Sequence, residues 1–161
     1  MMGILQNISR IRANRTTYRA GLLQAKAYRI LKQTTAEILS PLGISTVEWG
    51  LLGFLVDNPR SRFQEIAFEL GVEPPFVTVL AKHLIEMEVV MMEHDDDDSR
   101  VKTLSLSDKG KRFVVSTEST VRSQIRHLVS GASPRDLLGY LAVLETIIKN
   151  APAKKLKKAL T

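Results

Sequence analysis

The residues able to do acid–base or metal chemistry are three histidines and 17 acids, and their spacing denies it. His83, His94 and His127 are scattered, with no HExxH pair, no glycine-rich phosphate loop and no serine elbow. No catalytic carboxylate pair stands out, so an enzyme is not expected. The acidic run Asp95–Asp98 invites a cation loop. Counted from Asp95, the sixth residue is Arg100 and the twelfth Leu106, where a calcium loop needs Gly and Glu. No metal and no cofactor are expected. Zero cysteines exclude a disulfide framework, a thiolate metal site and a thiol sensor.

A different spacing is informative. Ala67 is followed by Gly71 at +4, Val77 at +10 and Leu80 at +13. A helix–turn–helix needs a small residue where its helices meet, Gly in the turn, and apolar residues pinning the second helix. Two core helices joined by a glycine turn would show the same pattern. The segment after them decides more: VVMMEHDDDDSRVKTLSLS reads as strands 89–93 and 102–106 around a polar tip.

The remaining elements must hold these two in place. Residues 9–39 read as a long helix ended by Ser40-Pro41, with Leu23, Ala27, Ile30, Leu31, Thr34 and Ile38 near one face. Ser45 or Thr46 caps a second helix, and Glu48 is placed to close a capping box on Ser45. Ser61 is expected to cap a third helix ending at Gly71. Glu73 and Pro74 are expected to be extended, with Pro75 the first residue of a fourth helix. A long helix from Ser107 or Asp108 to about Ser130, and a last one capped by Ser133, complete the chain. On that last helix Leu137, Leu141, Leu144 and Ile148 form a seam suited to a partner helix. The predicted fold is mainly α with a small β-hairpin: a winged helix-turn-helix.

The net charge of +6 is unevenly spread. Residues 1–36 hold seven bases and no acid, and residues 86–98 hold seven acids and no Lys or Arg. A basic excess suits a polyanion, though a charged stretch is more often a solvated helix face. On the fourth helix Val77, Leu80, Ala81 and Leu84 face inward. The outward face carries Pro75, Val79, Lys82 and Glu86, flanked by Thr78 and His83. In a major groove Thr78 would hydrogen-bond a base or phosphate, Val79 would pack on a thymine methyl, and Lys82 would meet a phosphate or guanine. No Arg, Asn or Gln is available there for bidentate reading. At the hairpin tip Arg100 would enter a minor groove, supported by Asp98, while Lys102 reaches flanking phosphates. Arg60 and Ser61, just before the third helix, complete the candidate DNA contacts.

The segments LGISTVEWGLLGFL, FQEIAFELGVEPPFVTVLAKHL and DSRVKTLSLSDKGKRF resemble the MarR family of transcription regulators. The last is similar to its wing signature, D-x-R, a strand, then L-T-x-x-G, at Asp98, Arg100, Leu106, Ser107 and Gly110. The resemblance implies a homodimer whose first and last helices intertwine over a pseudo-palindromic duplex. That gives three regions: 1–40 for dimerisation, 41–110 for DNA binding, 111–161 for dimerisation and a basic tail. It maps DNA contacts to Pro75, Phe76, Thr78, Val79, Lys82 and Arg100. It also implies a small aromatic or phenolic anion as effector, for which Tyr18, Tyr28, Trp49, Phe54 and His83 are the candidate lining. The sequence departs from the family at Val79, often basic or polar there, at Glu88, usually Gly, and at Ser99, frequently Arg. The peroxide-sensing branch needs a cysteine this chain lacks. The expected function is a cytoplasmic, sequence-specific regulator of double-stranded DNA, a repressor without a membrane segment. The alternative is a winged-helix protein-interaction module with weak or no DNA binding.

Overall fold

A computed structural model describes residues 17–94 and 101–152, the side chains of Thr17 and Tyr18 excepted. The chain has the winged-helix fold: six helices and a three-stranded antiparallel sheet among the described residues. Helix α1 spans Thr17–Leu39 and passes through a 3-10 turn at Ser40–Leu42. Gly43 closes that turn at φ 76°, a torsion that costs glycine least. Residues 9–16 of the predicted first helix lie outside the described residues.

Helix α2, Thr46–Asp57, starts at the predicted capping box. The Glu48 N–H donates to Ser45 Oγ at 3.2 Å, and the Ser45 N–H donates to Glu48 Oε2 at 2.7 Å. The expected cap at Ser61 is corrected. Ser61 and Arg62 form strand β1, and the cap of α3, Phe63–Leu70, is Arg62. The Arg62 N–H donates to Glu65 Oε2 at 2.8 Å, so the acid three residues on satisfies the helix start.

Helix α4, Pro74–Glu86, corrects a second expectation: Pro74 is helical and Glu73 is the extended cap. The first helical positions have no acceptor for an N–H, so both prolines fit there, and the bias against helix before Pro75 is overridden. Strand β2 is Val90–His94, one residue later than expected, and β3 is Lys102–Leu106 as expected. Between α4 and β2, Glu88 takes φ 62°, the left-handed region where a side chain is strained. Glu88→Gly is therefore expected to raise the thermal midpoint by about 2 °C. The exposed pair between Glu88 and Lys109, at 2.8 Å, is too weak to offset the relief. A melting curve with a lowered midpoint would show that the ion pair outweighs the torsion.

Sheet order is β1-β3-β2, with Ser61 opposite Leu104 and Met92 opposite Leu104 from the other side. Leu104 and Leu106 are buried in one core with Leu51, Leu52, Leu55, Ile66, Leu80 and Leu84. Helix α5, Asp108–Leu128, is capped by Ser107, whose Oγ accepts from the Gly110 N–H at 2.9 Å. Its Val114 and Val121 close the core from that side. Helix α6, Pro134–Asn150, begins at the predicted Ser133 cap but buries none of its residues. Leu138, Leu141 and Ile148 are all more than half exposed, as is Ile30 on α1. No single helix among the described residues is long and apolar enough to cross a membrane.

Candidate nucleic-acid interface

The outward face of α4 is built by what its inward face must do. Val77, Leu80, Ala81 and Leu84 are buried, which fixes the helix's rotation. Gly71, at φ 64°, lets α3 end and the chain turn, its N–H donating to the Phe68 carbonyl at 3.2 Å. Phe76 and Val79 are thereby left exposed, by 44% and 62%. Lys82 extends from the same face, and its Nζ lies 4.0 Å from Glu86.

Beside this face runs a groove of about 1090 Å³ between α4 and the wing strands. It brings together four of the candidate contacts, Pro75, Thr78, Lys82 and Lys102. Arg62 of β1 joins them there. Sequence reasoning misses Arg62, because only a two-residue strand places it; its sole signal is a cation two residues from Arg60. Asp98 and Arg100 lie outside the described residues.

Arg60 and Ser61 sit elsewhere. Ser61 is buried, and its hydroxyl donates to the Asn58 carbonyl at 2.6 Å. Arg60 reaches the wing: its Nη2 donates to the His94 carbonyl at 3.3 Å, and its Nε lies 3.6 Å from Glu93. These two hold the base of the wing rather than the groove.

The candidate effector residues are dispersed. Trp49 and Phe54 pack partly buried against the core, and Phe54 also lines a cleft with Asn58, Ser61 and Phe68. Tyr28 is exposed on α1, with Lys32 Nζ 5.9 Å from its ring. Tyr18 lies on α1, its side chain not among those described. His83 is engaged by a group that the sequence assigns only to a cap. Its Nδ1 lies 2.5 Å from Glu48 Oε1. Glu48 is 7% exposed, and its Oε2 also accepts from the Ser45 hydroxyl at 2.7 Å. Burial works to raise this carboxyl. The Ser45 backbone N–H, the Ser45 hydroxyl and His83 together outweigh it and hold the carboxyl below its ordinary value.

No protein-family model matches the sequence, and no curated protein matches it either. Solved structures do. A MarR-family transcriptional regulator from Silicibacter pomeroyi is 19% identical, with a TM-score of 0.72 over 83% of this chain and 90% of that one. CouR from Rhodococcus jostii RHA1, solved bound to p-coumaroyl-CoA, is 17% identical, with a TM-score of 0.75 over 83% and 94%. BpsR from Bordetella bronchiseptica, whose DNA binding is regulated by 6-hydroxynicotinic acid, is 15% identical, with a TM-score of 0.71 over 82% and 94%. At such identities the likeness is one of fold: this chain folds like the MarR-type winged-helix regulators.

Proposed function

We propose that this chain is a homodimeric, cytoplasmic transcriptional regulator that binds double-stranded DNA at a pseudo-palindromic operator, as a repressor. The observation that carries this reading is the convergence of Pro75, Thr78, Lys82 and Lys102 on one outward groove between α4 and the wing. In this reading α4 enters the major groove, Phe76 and Val79 lead, and Lys102 meets a phosphate. Arg100 at the wing tip enters a minor groove with Asp98 as its support. Residues 41–110 are the DNA-binding region. Residues 1–40 and 111–161 associate with a second copy, a role supported by the exposed apolar residues of α1 and α6. Relief by a small aromatic anion, held near Tyr18, Tyr28, Trp49, Phe54 and His83, is supported by the ligands named for CouR and BpsR.

Duplex binding is expected to weaken steeply with salt, because neutralised phosphates release counterions. Lys102→Ala should flatten the slope of log affinity against log salt by about 1, and Arg100→Ala should weaken binding by about 1–3 kcal/mol. Fluorescence anisotropy across a salt series reads both, and sedimentation gives the mass of the bound species. Affinity indifferent to salt would overturn the DNA reading. A second reading, a protein-interaction module, is favoured by the apolar outer face of α4 and would stand in that case. Quenching of the single Trp49 by aromatic acids tests the effector.

A further inference from the structure

The groups α4 presents are unusual for a helix that reads a duplex. Its N-terminus, normally a ready phosphate site through free N–H groups, is depleted of them. Pro74 and Pro75 have no N–H, and the Phe76 N–H donates to the Glu73 carbonyl at 2.9 Å. The helix carries no Arg, Asn or Gln. Its lysine, Lys82, stands beside Glu86. Its histidine, His83, is held against Glu48 of α2. Phe76, Val79 and His83 are spaced three and four, so they form one stripe along the helix. What remains for base edges in the first two turns is the Pro75 and Phe76 rings, the Thr78 hydroxyl and methyl, and the Val79 isopropyl group.

Among major-groove edges, the group that rewards an apolar contact is the C5-methyl of a pyrimidine. We infer that α4 reads pyrimidine 5-methyl groups: Phe76 and Val79 pack on thymine methyls in each half-site, and phosphate anchoring comes from the wing and flanking elements. The inference rests on the DNA-binding reading and adds to it the class of base feature recognised.

The test starts from duplexes that the full-length protein retains out of a random pool. Each thymine of a half-site is replaced singly by deoxyuridine, which removes the methyl and leaves base pairing intact. At one or two positions per half-site, affinity should fall about fourfold for each lost methyl. A 5-methylcytosine·G pair at such a position should bind more tightly than a cytosine·G pair. In Val79→Ala, whose side chain is exposed and whose fold should be intact, the uridine penalty should vanish at one position and persist at others. Phe76→Ala should abolish it at the neighbouring position. Duplexes bound equally well with thymine or uridine at every position would overturn the inference and leave the DNA reading standing. A uridine penalty unchanged in both variants would also overturn it. A wild-type protein that retains no duplex from the pool would overturn the DNA reading itself, and this inference with it.

Discussion

Gly110→Ala is expected to destabilise the fold at or above the roughly 3 kcal/mol upper end of ordinary overpacking. A Cβ at this position would lie 1.9 Å from the Val89 carbonyl oxygen and 2.9 Å from its carbon. The obstacle is backbone, so no rotamer change relieves it. That carbonyl is also committed, accepting the Ser107 N–H at 3.1 Å, while the Ser107 hydroxyl donates to the Glu88 carbonyl at 2.6 Å. Helix α5 must therefore lift away from the Val89 backbone just before β2, taking Val114 and Val121 out of the core. The thermal midpoint should fall by about 6–12 °C. Calorimetry on the variant measures it; a midpoint within a degree or two of wild type would mean α5 is not seated as described.

Glu48→Ala should be the next most damaging, at about 2 kcal/mol. It removes half of a capping box and strands the Ser45 N–H and hydroxyl, together with His83. Acid should reproduce the loss in the wild type. The Glu48 carboxyl is held below its ordinary value of 4.5. Its contribution is thus fully present above that value and is lost as pH falls through the lower folded one. The difference in unfolding free energy between wild type and Glu48→Gln should be largest near neutrality and close below pH 4.5. A difference constant from pH 7 to pH 3 would show that the charge of Glu48 adds nothing.

These two residues also mark what can be read from sequence. Both are placed by local motif, Glu48 in a capping box and Gly110 in a strand-to-helix signature. Neither motif names the partner across the fold. His83 is 35 residues from Glu48, and Val89 is 21 from Gly110; periodicity reports a face, not what the face meets. Strand β1 escapes a sequence reading because two residues show no alternation, and Ser61 resembles a helix cap. Pro74 is misplaced because the rule for residues before proline is weakest in a helix's first turn. The hairpin, the helix–turn–helix and the Ser45 and Ser133 caps are legible, since each is a chain of local preferences pointing the same way. The groove is only half legible: the α4 residues follow from helical phase, whereas Arg62 joins them only once β1 pairs with β3.

That pairing has a consequence in time. The middle strand of the sheet is the last of the three to be synthesised, and β1 and β2 both depend on it. Until Leu104 and Leu106 emerge from the ribosome, α2 and α3 have no floor to close on, and Leu51, Leu52 and Ile66 wait with part of their surface uncovered. A released fragment ending before residue 102 should be a client for holdase chaperones; one that extends through α5 should not.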